Sequence, residues 1–294
     1  MRLLGHLSIC NDPRAMSEEP IISPFVNPPI NELALAVQFE PQTVDYMQTA
    51  KYRERVKEDF PQREEQIARP PIGESFTAPA PGLPIHIGMI EMPTMPRFWF
   101  LSEDEAELVQ LQHDLLAFNW RRRSAGAAYP GYGACRSNLQ RLLAELESVL
   151  AEDEDRPRTL TPNWCEVTYI NQVEPEAGAD ARPPLSKVLR GIEVPPTDGF
   201  LPEMEEGQIG LRFLIPGTDG PRGRLTATTA SAVRNETQVP IWVITITTKT
   251  LAQGDGIDAA LEALDSGHEW CAKSFIELTS EEMHERWQTA GGPK

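Results

Sequence analysis

The side chains best equipped for chemistry or recognition crowd into residues 96–132, where Arg97, Trp99, Gln110, Gln112, His113, Asp114, Asn119, Trp120, Arg121, Tyr129 and Tyr132 share one stretch. A half-buried strand should alternate apolar and polar residues so that one face leaves water. Here Gln, His, Asp and Asn interrupt the apolar run, and such groups cost free energy when buried unless each finds a hydrogen-bond partner. Two arrangements satisfy them. One is a buried network that locks strands together, with Asn119 and Arg121 serving backbone groups at the strand end. The other is a ligand or partner site in which Gln112, Asn119 and Arg121 supply directional polar contacts while Trp99, Trp120 and Tyr129 form apolar walls. Tyr169 and Asn171, alternate residues of a later strand, are placed to reach the same region or to make ordinary cross-strand pairs.

Catalytic signatures are sparse. His268 and Glu269 open what would be a zincin helix, but Ala272 stands four residues beyond His268 where a second histidine ligand is needed. Asp265 and His268, three apart, could give two metal ligands; a histidine on an apolar helical stripe is more commonly a satisfied core residue. His113 and Asp114 are adjacent on an expected strand and should point to opposite faces. His6 and His86 fall in irregular segments, and His284 sits on a terminal helix. Nucleophile-elbow, phosphate-loop and dinucleotide-binding glycine patterns are missing from the sequence. No catalytic residue, metal site or cofactor is assigned on these grounds.

The chain has 294 residues, 40% hydrophobic and 24% charged, enough for a sizeable core. Its apolar runs fall far short of the ~20 residues needed to cross a bilayer, so no membrane span is expected. Residues 1–10 lack the apolar stretch and cleavage site of a secretory signal and read as a flexible leader. Met16 opens a more typical beginning, which makes a start there an alternative to Met1. The four cysteines, Cys10, Cys135, Cys165 and Cys271, are scattered without a Cys-x-x-Cys pair, as buried free thiols in a reducing cytoplasm would be. A net charge of −17 opposes nonspecific adhesion to nucleic acid. Arg121, Arg122 and Arg123 nonetheless make a local basic patch, and nearby tryptophans could stack on bases.

Hydropathy periods outline the elements that must position these residues. A proline-rich leader occupies 1–29. Leu33, Leu35, Val37 and Phe39 alternate with Ala34, Ala36, Gln38 and Glu40 as a strand. A helix is predicted over 43–60 with Thr43 as N-cap, stopped by Pro61. An extended proline-rich connector covers 69–84, and a short strand 85–89. The hairpin follows, with strands over 97–101 and 108–120. Val109, Leu111 and His113 share one parity whereas Leu116, Phe118 and Trp120 share the other, so a β-bulge near Leu115 is expected. A strong helix then carries Cys135, Leu139, Leu142, Leu143, Leu146, Val149 and Leu150 on one stripe.

The second half starts at Thr161 with a strand bearing Cys165, Val167, Tyr169, Asn171 and Val173 on one face. A Pro/Gly-rich excursion over 175–202, with a short helix at 185–192, precedes strands at 209–215, 224–233 and 241–250. Gly217, Thr218, Asp219 and Gly220 signal a tight hairpin. A closing helix bears Ile257, Ala260, Leu261, Leu264, His268, Cys271 and Phe275, and Thr279 with Glu282 form a capping-box pattern for a last short helix. The expected fold is α+β, with two structurally similar halves, 30–156 and 157–294, packed as one unit. Each would have antiparallel strands and a long amphipathic helix on one sheet face, leaving the other face for a partner.

The runs RFWFLSEDEAELVQLQHDLLAFNWR, YPGYG, CEVTYINQV and ALDSGHEWCAKSFIELTSEEMHERW resemble the signature blocks of a sporadically distributed bacterial family of about this length whose function is uncharacterised. The similarity covers residues 31–287 and implies a soluble bacterial protein without implying an activity or a cofactor. The family's patchy distribution suggests a bacterial conflict or defence locus as its setting. The favoured expectation is a non-catalytic binding or regulatory protein acting on a protein partner, encoded by a neighbouring gene, through the open sheet face. The alternatives are an enzyme built on the hairpin cluster with His113 as acid or base, and a nucleic-acid binder using residues 121–123.

Overall fold

Among the described residues, nine strands form one antiparallel sheet in the order β2-β3-β4-β5-β1-β6-β9-β8-β7. A computed structural model of the chain describes residues 25–41, 43–76, 95–124, 126–176, 179, 181–193, 199–201, 204–234 and 237–288. The leader up to residue 24, Cys10, His6, His86 and the expected strand at 85–89 lie outside the described residues. The elements run β1 (Ile30–Phe39), α1 (Tyr46–Val56), β2 (Gln62–Gln66), β3 (Arg97–Leu101), β4 (Glu107–Gln112), β5 (Leu115–Arg121) and α2 (Tyr132–Leu150) in the first part of the chain. The second part contributes β6 (Pro162–Val173), α3 (Leu185–Val188), β7 (Gln208–Gly217), β8 (Gly220–Val233), β9 (Pro240–Leu251), α4 (Gly256–Leu278) and α5 (Glu281–Gln288). β1 pairs with β6 at the middle of the sheet, joining the two parts. The long helices lie on one face, α2 over β5 and β1, α4 over β6 and β9, and they touch each other.

The expected stripe of α2 is buried along its whole length, from Cys135 to Leu150. Burying each such leucine contributes roughly 1.5–3 kcal/mol, which fixes this helix face down on the sheet. On α4 the approach is closer. A Cβ added at Gly267 would meet Thr248 Oγ1 at 2.7 Å and Val167 Cγ2 at 3.2 Å, so glycine here lets helix and sheet come together. Thr250 Oγ1 then donates to the Ala263 carbonyl at 2.9 Å. Among the described residues, no helix is long and apolar enough to cross a membrane.

Several local expectations need correction. The run 108–120 is not one bulged strand. β4 and β5 pair with Gln112 opposite Leu115 and Leu111 opposite Leu116, so His113 and Asp114 form a two-residue hairpin turn. The change of parity near Leu115 is the chain reversing direction, which a bulge would also have mimicked in sequence. α1 is capped by Asp45, whose carboxylate accepts from Met47 N at 2.7 Å and Gln48 N at 3.3 Å, with Gln48 completing the capping box. Thr43 instead donates to the Glu40 carbonyl. α5 is capped by Ser280, whose hydroxyl accepts from Met283 N at 3.2 Å; Thr279 donates back to Phe275 O and contacts His284. The Gly217–Gly220 turn is as expected, the two glycines pairing directly.

The largest surprise is the connector after β2, a charged edge strand that the sequence pattern did not signal. Residues 69–76 run across the strands on the helix-free face. Arg69 and Gln112 exchange a pair of hydrogen bonds, Arg69 N to Oε1 at 3.0 Å and Nε2 to Arg69 O at 3.2 Å. Gln38 grips Ile72 in the same way through that residue's backbone N–H and carbonyl. Ile72 drops into a small apolar cluster with Ala36, Leu115, Ala117 and Trp164. Arg69 pairs with Glu166 at 2.9 Å. At the far end Glu74 is held by Arg224 and Arg212, each at 2.8 Å, with Lys249 at 3.5 Å. The connector is therefore a strap reaching from β4 to β7.

Candidate functional site

Side-chain parity divides the sequence-derived candidates between the two sheet faces. The register Ala34↔Asn119, Glu32↔Arg121 and Trp99↔Gln110, with Leu108↔Asn119 and Gln112↔Leu115, puts Trp99, Gln112, Asn119 and Arg121 on the helix-free face. Trp120, Tyr129, Tyr169 and Asn171 belong to the helix-covered side: Trp120 opposes Leu33, and Leu33 opposes Tyr169. The expectation of a single site containing all eight is corrected, because adjacent strand residues such as Asn119 and Trp120 must point opposite ways.

On the helix-free face a chain of amides and charges crosses four strands. Arg97 Nη1 donates to Gln110 Oε1 at 2.9 Å, Gln110 Nε2 to Asn119 Oδ1 at 2.6 Å, and Asn119 Nδ2 to Glu32 Oε1 at 2.6 Å. Gln110 and Asn119 are buried. Beside this chain the Trp99 indole lies between two guanidinium groups, Arg97 at 5.5 Å and Arg121 at 6.0 Å from the ring centroid. Arg121 Nη2 donates to the Glu105 carbonyl at 3.1 Å. Arg97 Nε, Trp99 Nε1 and Arg121 Nε are shielded from solvent and bond to nothing among the described residues. Burial disfavours the charged form of both arginines, with Arg69 adding to the effect on Arg97 and Arg123 to that on Arg121. This is an aromatic patch flanked by two guanidinium groups, with Glu32, Glu64 and Glu105 near enough to favour the charge on Arg121. Gln112 lies elsewhere on the face, under the strap, where it also donates to Asp114 at 2.7 Å.

The helix-side group is a packing lock. Trp120 and Tyr129 meet edge to face at 5.4 Å. The Tyr129 and Tyr169 hydroxyls are 3.3 Å apart, and Tyr169 O–H meets His268 Nδ1 at 2.9 Å. Tyr132 stacks on His268 at 3.8 Å and donates to Asp265 at 2.8 Å. Arg136 grips both oxygens of Asp265, at 2.7 and 2.9 Å. Burial pushes all three phenols upward and keeps them protonated. Asn171 Nδ2 donates to Ile244 O at 3.2 Å, a cross-strand tie. These contacts occupy Asp265 and His268, and among the described residues no cluster of three or more potential ligands could hold a metal.

His113 and Asp114 do meet, contrary to the strand-based expectation, because a turn has no strict face alternation: His113 Nδ1 lies 2.8 Å from Asp114 Oδ1. They sit at the opposite end of β4 and β5 from Arg121. The 121–123 triplet disperses. Arg121 faces the Trp99 patch, Arg123 pairs with Glu105 at 2.8 Å, and Arg122 lines a groove of ≈ 910 Å³ at the strand ends. Within that groove Arg122 donates to Pro28 O, Arg234 to Gln172 and Glu174, and Arg286 to the carbonyls of Glu174 and Pro175.

Sequence reasoning grouped Arg97 and Gln110 with the cluster but left them out of the site, and it missed Gln38, Ile72 and Glu74. The usable signal was Gln38, a long amide on an Ala, Ala, Gln face of a central strand, which needs a partner from outside the sheet. No protein-family model matches the chain, and comparison with curated proteins finds no similar sequence.

Proposed function

We propose that this chain is a non-catalytic binding or regulatory protein that engages a protein partner across the helix-free sheet face. The observation that carries the reading is the Arg97–Trp99–Arg121 patch on the helix-free face, in which two guanidinium groups lie beside one indole. Part-exposed guanidinium groups beside an aromatic plate favour a partner rich in carboxylates and backbone carbonyls. The strap offers an internal precedent. Gln38 and Gln112 each hold one residue of an extended segment by its backbone, and basic residues hold the Glu74 carboxylate. The same face thus already carries an extended, acid-bearing polypeptide. The order of strands also supports two related halves, each running outward from its first strand (β1, β6) to its last (β5, β9). The three cysteines among the described residues are free and buried, which supports a reducing, cytoplasmic setting.

The test is co-expression with each protein encoded by the flanking genes, using wild type and the Arg97→Glu/Arg121→Glu variant. The expected result is one co-purifying protein whose retention falls at least about tenfold in the variant, a loss of about 1.4 kcal/mol, while circular dichroism is unchanged. Retention that survives the charge reversal would sink the patch. Failure to retain any protein, together with a co-purifying metabolite or metal, would shift the reading to an enzyme.

A further inference from the structure

We propose that β7 is a self-pairing edge, through which two copies of this chain join about a two-fold axis at Leu211. The two ends of the sheet differ in kind. At one end β2 is short and reads Gln, Arg, Glu, Glu, Gln, the charged edge that natural sheets use to repel further strands. At the other end β7 spans Gln208–Gly217, and Leu211, Phe213 and Leu214 are 36%, 43% and 48% exposed. Its one charge, Arg212, is held by Glu74 on the helix-free face, and among the described residues no strand pairs with its outer side, so this long, largely apolar edge is a template for another strand.

The sequence of β7 suits a second copy of itself in one register. Ser231 N donates to Gly207 O at 3.0 Å, so by the antiparallel alternation Gln208, Gly210, Arg212 and Leu214 turn their backbone groups away from β8. Pairing two copies antiparallel about Leu211 sets these outward groups against each other. Ile209 then opposes Phe213 of the second copy, and Leu211 opposes Leu211. All three lie on the side of Leu225 and Ala227, giving one continuous apolar row. On the other side Arg212 opposes Gly210 of the second copy, where open space adjoins the glycine. Arg212 is the only charged residue of the strand and is paired with Glu74, so this register keeps the two guanidinium groups apart. Centring on Arg212 would stack them. Pro216, which has no N–H to donate, falls outside the paired stretch 208–214. That stretch is roughly 23 Å long, and a two-fold closes the edge, leaving no apolar strand for a third copy. A ribbon of this size lies at the small end of specific interfaces.

Sedimentation velocity on the full chain from about 1 to about 100 μM should show a reversible monomer–dimer equilibrium in that range. Leu211→Glu, which sets like charges opposite each other on an exposed position, should remain monomeric throughout with unchanged circular dichroism. In a Cys10→Ser background, Leu211→Cys should form a covalent dimer with diamide, which takes up the two electrons and two protons. The opposed Cα atoms of such a pair lie within disulfide reach. Phe213→Cys should not, because its opposite is Ile209. A wild-type chain that stays monomeric across the range would overturn the proposal. So would a dimer indifferent to Leu211→Glu, or oxidation of Leu211→Cys no faster than that of Phe213→Cys; the cysteine pair decides the register even if the glutamate variant misfolds.

Discussion

Replacing Asn119 by alanine separates scaffold from recognition on the helix-free face. The Asn119 amide is 4% exposed; it accepts from Gln110 at 2.6 Å and donates to Glu32 at 2.6 Å. Its removal strands a buried Gln110 N–H, costing about 1 kcal/mol, and breaks a bond to a carboxylate worth about 1.5–3 kcal/mol. Glu32 is half-buried and recovers water, so the second contribution is discounted toward its lower end. The expected loss is about 2–3 kcal/mol. Arg121→Ala removes one hydrogen bond at the exposed rim and a cation beside Trp99, so its expected cost is only about 0.5–1 kcal/mol. The sequence offers Asn119 and Arg121 alike as network members or as ligand contacts; the structure separates them, with Asn119 inside the network and Arg121 at its rim. Urea unfolding of both variants, analysed at fixed slope, measures the difference directly. If Arg121→Ala cost more than about 2 kcal/mol while Asn119→Ala cost less than about 0.5 kcal/mol, the assignment of the network and the patch would be wrong.

Two further outcomes are expected. Burial raises the thiols of Cys135, Cys165 and Cys271 to about 12 from 9.0. Below pH 9 the thiols are protonated in both states; above it the unfolded thiols ionise first, so stability should fall as pH rises from 9 toward 12, by up to about 1.4 kcal/mol per thiol per pH unit. A urea midpoint that stays flat to pH 11 would contradict this. Glu74→Gln should loosen the strap by removing the charge that Arg212, Arg224 and Lys249 share. Amide exchange at Arg69 and Ile72 should then accelerate by more than tenfold, a local change of about 1.4 kcal/mol, with little effect on the α2 core; unchanged exchange at Ile72 would refute the anchoring role.

The sequence by itself determined the elements whose periodic apolar face runs unbroken along the chain. The stripes of α2 and α4 and the alternation of β1 and β6 were legible because their periods, 3.6 and 2, are local properties of the chain. The tight turn at Gly217–Gly220 was legible for the same reason, since its glycines are neighbours in sequence. What only the tertiary structure decided rests on contacts between distant residues. The strap is written as an unpatterned Pro-rich segment, and its meaning comes from Gln38, Gln112 and Arg224, which the fold brings to it. The His113–Asp114 turn resembled a bulge because both shift parity by one, and only the pairing of Gln112 with Leu115 distinguishes them. The candidate cluster split between two faces for a related reason. Proximity in sequence collected Asn119, Trp120 and Arg121, whereas the pleat of the strand sent Trp120 into the aromatic lock and left its two neighbours on the open sheet.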